Sequence, residues 1–409
     1  MRRLGAFLAA TALVAVAFGA STAQASTFIQ KGIYDDAQIL YGNPDKVFPS
    51  LQLLGTQLIR VNLWWGGPNG VATRRPVNPA NPADPAYRWD TYDRTVRYAE
   101  AYGMHPIFTI LGTPSWANPA GWNTAPLKTS DLQSFATAAA RRYSGTVKAA
   151  DGTLIGRVSR WIAWNEPNNP VFLKPQFVKS GGTWVMQSPI DYAKICNAVV
   201  KAAKSVNRSN KVACGVTAPR GNNQPGTVRS SVSPLAFLRA MKNAGAKGFD
   251  AYAHHPYYGY RSETPLTPPP PGKRGAPPTA VTLGNFEQLT AELQRAYGNM
   301  RIWVTEYGYQ TNPPDVLFGV TPSQQARYMQ QAWDKLAASP RVDMMIWFLL
   351  RDEGRVGAGW QSGLYYASGA RKPARATFAG LTGEEQTHGS RDVGAHQLHQ
   401  ALVFTRESA

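Results

Sequence analysis

Residues 160–169 have the sequence RWIAWNEPNN, a short apolar run that ends abruptly in Asn165-Glu166-Pro167. An apolar run this short, bounded by polar residues and Pro, is typical of a buried strand rather than a helix. Glu166 then lies just past the carboxyl end of that strand, where α/β barrels carry their functional side chains. A lone Asn-Glu-Pro is more typical of a surface turn, so this interpretation requires a second carboxylate in a matching place.

Short apolar segments alternate with helical segments along the chain. The predicted strands are residues 28–34, 57–63, 106–111, the run beginning at 160, 211–216, 249–254, 301–305 and 343–349. The predicted helices are residues 45–54, 90–102, 130–143 and 285–297, with others beginning at Ser188, Ser233 and Thr321, each followed by Pro. This alternation predicts an α/β fold, a single-domain (β/α)8 TIM barrel. The alternative is a doubly wound open sheet, but no Gly-rich phosphate loop follows the first strand.

The N-terminus has the pattern of a secretory signal peptide. Arg2 and Arg3 precede the apolar residues 4–20, and Ala23-Gln24-Ala25 forms a small-x-small cleavage site. We predict a signal peptide over residues 1–25, a barrel domain over 26–382 and a disordered polar tail over 383–409. The expected location is secreted or extracellular, with no stable membrane insertion after cleavage; a retained anchor is the alternative.

Composition narrows the function classes. The 409-residue chain has a formal charge of +18, yet no basic run interleaved with aromatic residues and no nucleic-acid motif. The charge instead favours an anionic polymer or surface as surroundings. Cys196 and Cys214 are the two cysteines, and two buried thiols explain them at least as well as a disulfide. Their spacing matches no metal motif.

The second carboxylate is Glu306, in the segment Trp303-Val304-Thr305-Glu306-Tyr307-Gly308. It directly follows the seventh predicted strand, as Glu166 follows the fourth, so both lie at one face of the barrel. Two carboxylates that flank a cavity suit glycosidic bond cleavage. Arg60, inside the apolar second strand, is the candidate cation for one of them, because a buried Arg is costly unless it is paired.

The Asn165-Glu166 pair and Glu306, in this strand order, resemble the retaining β-glycosidases of glycoside hydrolase clan A, families 39 and 5 (cellulase-like). The resemblance covers roughly residues 28–360. It implies that Glu166 is the general acid/base and Glu306 the nucleophile. It further implies that Asn165 hydrogen-bonds the sugar 2-hydroxyl and that Arg60 bonds the Glu306 carboxylate.

The same resemblance gives roles to residues after the sixth and eighth strands. Tyr257 would donate to Glu306, and His255 would lie beside it; the His254-His255 doublet leaves this register open, and the family pattern His-x-Tyr favours His255. Trp347, near the end of strand eight, would form the floor of the sugar site. The alternatives are ordinary packing for Tyr257 and a core position for Trp347. For Arg60 the alternative is a plain structural ion pair, and His254 is expected in the core or behind the site.

Further tryptophans fall near predicted strand ends or in loops of the same face. Trp65 and Trp116 are candidates to stack on sugar rings, with Trp64, Trp184 and Trp360 in similar positions. Packing explains each of them about equally well. The segment after Trp360 fits the family poorly, and the last helix, at 371–378, has an unfavourable start. The sequence therefore predicts weak closure between the last and first helices.

These observations predict an exported, monomeric glycoside hydrolase that cleaves β-glycosidic bonds of a poly- or oligosaccharide by a retaining double displacement. This glycosidase hypothesis requires neither a metal nor a cofactor. One alternative is a non-catalytic carbohydrate-binding barrel, which would keep the aromatic cleft without turnover. Another is a transglycosylase of the cell envelope, which would share the same site. The sequence leaves open which sugar is cut and whether cutting is internal or terminal.

Overall fold

A closed barrel of eight parallel strands forms the centre of the molecule. The structure, a computed structural model, describes residues 29–272, 278–357 and 359–382. Within these ranges the barrel strands are β1 (Gln30–Tyr34), β2 (Leu58–Trp64), β3 (His105–Leu111), β4 (Arg160–Ala163), β7 (Lys211–Thr217), β8 (Ala251–His254), β9 (Arg301–Tyr307) and β10 (Val342–Phe348). Each strand pairs with the next along the chain and β10 pairs with β1. The predicted (β/α)8 fold is confirmed.

Helices lie between successive strands and cover the outside of the barrel. They are α1 (Asp36–Ile39), α2 (Pro44–Leu53), α3 (Asp90–Ala101), α4 (Thr129–Arg142), α5 (Ser188–Val206), α6 (Pro234–Asn243), α7 (Glu287–Tyr297), α8 (Pro322–Ala337) and α9 (Pro373–Gly380). Pro in the first turn begins five of them, where its missing N–H costs nothing. A hairpin of β5 (Phe177–Ser180) and β6 (Thr183–Met186), which the sequence analysis did not predict, follows β4.

The barrel interior is apolar at its base and polar at its mouth. Side chains alternate between the two faces of a strand, so every second residue points inward. In β2, Leu58 belongs to the inner apolar cluster and the next inward residue is Arg60. In β9, Trp303 belongs to that cluster and Thr305 follows it. Inward-pointing residues are therefore apolar at the amino ends of these strands and polar at their carboxyl ends.

The prediction of a poorly closed barrel is wrong. Strands β1 and β10 pair over five residues, and α9 packs on α8. The Lys31 Nζ donates to the carbonyl oxygens of Phe378 and Ala379, where its charge also favours the C-terminal end of the α9 dipole. Lys372, just before α9, is buried and ion-paired to Asp352 at 2.7 Å, which anchors the start that looked unfavourable in the sequence.

Cys196 of α5 and Cys214 of β7 form a disulfide, with their Cα atoms 5.9 Å apart. The bond joins a helix to the barrel wall beneath it. Among the helices in the described ranges, none has the length and hydropathy that a bilayer crossing requires. The predicted signal peptide and the predicted tail lie outside the described residues.

Candidate active site

The chain leaves β4 through an unusual backbone turn that fixes the position of Glu166. Trp164 and Glu166 have φ values of 68° and 37°, in the left-handed region that non-glycine residues rarely adopt. Such conformations persist only where the surroundings impose them. Here the Trp164 Nε1 donates to the Phe172 carbonyl at 2.7 Å, and the Asn169 N–H donates to the Glu166 carbonyl at 2.9 Å.

Glu306 reaches the barrel mouth through an irregularity in β9. Met345 of β10 pairs with Val304, but Trp347 pairs with Tyr307, so β9 carries one extra residue over this interval. A bulge of this kind breaks the strict alternation of side chains. It allows the consecutive residues Thr305 and Glu306 both to contribute groups to the interior.

Arg60 connects the strands that surround the barrel mouth. Its side chain has no exposed surface, and its Nη1 lies 2.9 Å from the Glu306 Oε2. The guanidinium also donates to the Thr109 Oγ1 at 3.0 Å, the Thr305 carbonyl at 2.9 Å and the Asn165 Oδ1 at 2.6 Å. A buried guanidinium needs this many acceptors to offset its lost hydration. Arg60 therefore holds the ends of β3, β4 and β9 in one arrangement.

Glu306 has a charged partner on one oxygen and a hydroxyl donor on the other. The Tyr257 hydroxyl donates to Oε1 at 3.0 Å, while Arg60 binds Oε2. Burial raises the pKa of Tyr257 well above its usual value, and the neighbouring Glu306 adds to this, so the phenol keeps its proton. The Glu306 side chain is 11% exposed, which leaves an edge of the carboxylate open to the cleft.

Glu166 lacks a charged partner of its own. Its Oε1 lies 3.0 Å from the His255 Nδ1, and its Oε2 accepts from the Asn169 Nδ2 at 3.1 Å. Burial raises the pKa of Glu166 from 4.5 to about 7, while the Asn169 hydrogen bond and the Arg60 charge oppose the change without cancelling it. The group is consequently a proton donor near neutral pH.

His255 is a neutral link between the two carboxylates. Burial lowers the pKa of His255 to about 3, Glu306 acts in the opposite direction, and Arg60 lowers it further. The ring therefore makes hydrogen bonds, not an ion pair, with Glu166. Its Nε2 lies 3.0 Å from the Thr305 Oγ1, so both ring nitrogens are occupied. The structure brings His255, and not His254, to the carboxylates, because His254 contacts Thr217 and Val281.

One side-chain oxygen of Glu166, one of Glu306 and a ring nitrogen of His255 lie within 4.8 Å of one another. These three groups could ligate a cation by distance alone. However, Arg60 already supplies a positive charge 2.9 Å from Glu306, and both nitrogens of His255 have partners. We therefore assign no metal here. The arrangement instead offers an ion-paired carboxylate beside a carboxylic acid.

Two of the predicted sugar-stacking tryptophans are placed elsewhere. Trp347 has no exposed surface, and its Nε1 donates to the Ser362 carbonyl. Met344 and Ile346 face the barrel interior, so Trp347 points outward and Phe348 is the residue that points inward. Trp65 is also fully buried and packs against Phe135. Both predictions are wrong because these rings belong to the layer between strands and helices.

Trp116 likewise has contacts away from the carboxylates. Its Nε1 donates to the Ala72 carbonyl, its ring meets the edge of Trp65, and the Arg75 guanidinium lies 4.6 Å from the ring centroid. Nothing in these contacts links it to the carboxylate site. Trp360, by contrast, is 39% exposed and packs on Tyr257 with ring centroids 5.5 Å apart, so it lies beside a residue that contacts Glu306.

Several residues of the site gave no signal in the sequence. Asn169 lies three positions after Glu166 in the same loop and contacts it. The contact depends on the turn between them, which the sequence alone does not predict. Tyr34 stacks on the Arg60 guanidinium at 4.4 Å, and Phe348 packs 5.2 Å from Tyr34. Thr109 and Thr305 are ordinary strand residues until the register places them beside Arg60.

Comparisons with known proteins agree with this architecture. A model for a family of unknown function, DUF5722, matches residues 103–394. Among solved structures, a family 39 glycoside hydrolase from Bacteroides cellulosilyticus WH2 is 20% identical, with a TM-score of 0.59 over 87% of this chain and 63% of that one. A glucosidase from Croceicoccus marinus is 16% identical, with a TM-score of 0.60 over 87% of this chain and 66% of that one.

A β-xylosidase from Caulobacter crescentus CB15 is 15% identical, with a TM-score of 0.55 over 88% of this chain and 69% of that one. This chain thus spans less than two thirds of the first two structures. No curated protein matches the sequence significantly. At these identities the likeness shows the fold, and the predicted resemblance to family 39 and related glycosidases is confirmed at that level.

The raised pKa of Glu166 predicts a pH-dependent effect on stability. Because the folded state holds this proton more tightly than the unfolded chain, the benefit is complete below pH about 4.5 and is lost as pH rises through about 7. The native chain should therefore lose stability as pH rises from about 4.5 to about 8, whereas Glu166→Gln should not. Over this range the unfolding free energy of the variant should increase by about 1–3 kcal/mol relative to that of the native chain. Urea denaturation at several pH values measures this difference. Glu287→Gln, an exposed substitution, controls for the lost charge, and an equal pH response in both variants would contradict the assignment.

Proposed function

We propose that this chain, which belongs to the DUF5722 family of proteins of unknown function, is an exported glycoside hydrolase that cleaves β-glycosidic bonds with retention of configuration. One observation carries the proposal: a side-chain oxygen of Glu166 and one of Glu306 lie within 4.8 Å of each other, and of these two carboxylates Glu306 has the Arg60 guanidinium as its partner. Retaining enzymes hold their carboxylates about 5–5.5 Å apart, whereas inverting enzymes need about 6.5–9.5 Å to admit a water. The spacing here suits direct attack.

The first step would use Glu306 as nucleophile and Glu166 as acid. A Glu306 carboxylate oxygen forms a bond to the anomeric carbon as the bond from that carbon to the leaving oxygen breaks. Glu166 transfers its proton to the leaving oxygen, which departs as a neutral alcohol. Arg60 and Tyr257 orient the attacking carboxylate, and the pKa of Glu166, about 7, matches the task of a proton donor near neutral pH.

The second step reverses these roles. Glu166, now a carboxylate, takes a proton from water while the water oxygen bonds to the anomeric carbon, and the bond to Glu306 breaks. The sugar leaves with its original configuration after two inversions. The proton taken from water returns Glu166 to its acid form, so the cycle closes without a cofactor.

Asn165 is suited to hold the sugar that is attacked. Its Oδ1 accepts from the Arg60 Nη2 at 2.6 Å, so its amide Nδ2 remains to donate to a ligand. By the family resemblance this ligand is the sugar 2-hydroxyl. Tyr34, Phe348 and Trp360 lie around Arg60 and Tyr257, where flat aromatic surfaces would pack on the sugar ring. We place the glycone on this side of the carboxylate pair.

The disulfide supports the exported part of the proposal. Disulfides persist in oxidising compartments and are rare in reducing ones. The bond between Cys196 and Cys214 and the signal-peptide pattern at the N-terminus are independent observations that agree. Free thiols at both positions in protein isolated from its native cells would contradict export.

The acid role of Glu166 predicts how the rate depends on pH and leaving group. With poor leaving groups, kcat/KM should fall above pH about 7, because Glu166 then loses its proton. Glu166→Gln should lower the rate on alkyl β-glycosides by about 10²–10⁴-fold and remove this basic limb. The same substitution should have little effect on the rate of the first step with dinitrophenyl glycosides, since their leaving group needs no proton. Equal losses on both substrate classes would contradict the acid role.

The nucleophile role of Glu306 is tested by trapping. After a panel of aryl β-glycosides has identified a substrate, its 2-deoxy-2-fluoro analogue with a labile leaving group should accumulate a glycosyl-enzyme. Peptide mass spectrometry should find the added sugar on Glu306, and Glu306→Gln should remain unlabelled. Labelling of another residue, or full activity of Glu306→Ala, would overturn the assignment. A chain that binds glycans but cleaves none of the panel would instead be a carbohydrate-binding barrel.

A further inference from the structure

A cavity of about 710 Å³ opens next to Asn169, among the loops at the carboxyl ends of the barrel strands. Its walls come from the loops that follow β4, β7 and β8 and include Asn169, Arg220, Arg229 and Tyr260. Such loops carry the binding sites of (β/α)8 proteins. The cavity is distinct from the aromatic surface around Arg60. The rings of that surface, Tyr34, Phe348 and Trp360, are not part of the cavity wall.

Asn169 fixes the position of this cavity relative to the reaction. It lines the cavity and donates to the Glu166 Oε2, whereas the Glu166 Oε1 contacts His255 in the centre of the site. Asn169 therefore connects the wall of the cavity to the oxygen of Glu166 that does not contact His255. Because the acid protonates the departing oxygen, a sugar on this side of Glu166 belongs to the leaving group.

The walls have the chemistry of a carbohydrate subsite. Tyr260 is 63% exposed and offers a ring face, and several prolines, including Pro170 and Pro270, provide rigid apolar surface. Asn222 and Ser231 add polar side chains; the Asn222 side chain bonds the loop backbone at Arg229 and Ser231, and the Ser231 hydroxyl oxygen accepts from the Asn222 N–H. A mostly apolar cavity with a few polar groups is typical of small-ligand sites.

The two arginines in the wall differ in their partners. Arg220 donates from Nη2 to both oxygens of Glu263, at 2.8 and 2.9 Å, so its charge is balanced. Arg229 is exposed, and no carboxylate among the described residues forms a salt bridge with it. Among the described residues that line the cavity, Arg229 is therefore the one cation without a carboxylate partner, and its guanidinium can form paired hydrogen bonds with an oxyanion.

We propose that this cavity is the leaving-group subsite and that it selects an acidic sugar, one that carries a carboxylate or a sulfate ester, through Arg229. The inference rests on the proposed glycosidase function and names its substrate class. A formal charge of +18 on the whole chain would favour encounter with such a polyanion.

The kinetic test compares leaving sugars that differ only at C6. The substrates are three disaccharides with the glycone found by the aryl glycoside panel and with glucose, glucuronic acid or glucose 6-sulfate as the leaving sugar. At low salt, kcat/KM should be about fivefold higher for an acidic leaving sugar than for glucose, the size expected of an exposed ion pair. Arg229→Gln should abolish this ratio, and Arg229→Lys should retain part of it. Preference for only one of the two acids identifies the anion.

A matched control removes a positive charge elsewhere. Arg327 lies on the outer helix α8, and Arg327→Gln should leave the kcat/KM ratio at its native value. Raising the salt concentration to about 0.5 M should shrink the native ratio, because the charge is exposed to solvent. A ratio near one in the native chain, or an equal loss in Arg229→Gln and Arg327→Gln, would overturn the proposal.

A binding test separates this proposal from the proposed function. Saturation-transfer NMR titrations compare methyl β-D-glucuronide with methyl β-D-glucoside in the native chain and in Arg229→Gln. Tighter binding of the glucuronide that disappears in Arg229→Gln supports the acidic subsite even if no glycoside is hydrolysed, in which case the glycosidase function alone fails. Hydrolysis without any preference for acidic ligands in either assay refutes the subsite alone.

Discussion

The buried charge of Arg60 is the constraint on which the rest of the site depends. A guanidinium with no exposed surface must be matched by an anion and by several acceptors. Two carboxylates lie nearby, but one cation can balance only one of them. The geometry gives Arg60 to Glu306 at 2.9 Å and leaves Glu166 with the neutral partners His255 and Asn169. Burial then raises the pKa of Glu166 to about 7, so one buried charge separates an ion-paired carboxylate from a carboxylic acid.

The barrel supplies this arrangement through small departures from its own regularity. Alternating side chains fill the interior of the strands, and the same alternation carries Arg60 and Thr109 to the mouth. The extra residue in β9 allows Glu306 to face inward directly after Thr305. The positive φ values after β4 aim Glu166 at His255 instead of along the strand. Regular strands give the frame its rigidity, and the irregular ends of two strands give the carboxylates their positions.

Much of this was predictable from the sequence, because chemistry in a (β/α)8 barrel gathers at strand ends. Short apolar runs that end in Asn165-Glu166 and in Glu306 indicated both the fold and the carboxylates, and the costly Arg60 indicated their partner. The direction of side chains in buried strands was not predictable. Parallel strands are apolar on both faces, so nothing in Ile346-Trp347-Phe348 shows which ring points inward. Asn169 and the cavity wall depend on loop conformations that no periodicity describes.

The stereochemistry of the first product tests the account most directly. Proton NMR spectra recorded within the first minutes of hydrolysis of an aryl β-glycoside distinguish the two anomers of the released sugar before they interconvert. If Glu306 forms a covalent intermediate and Glu166 serves as acid and then base, the β-anomer appears first and the α-anomer grows only by mutarotation. Appearance of the α-anomer first would mean inversion by a single displacement and would contradict the roles given to both carboxylates.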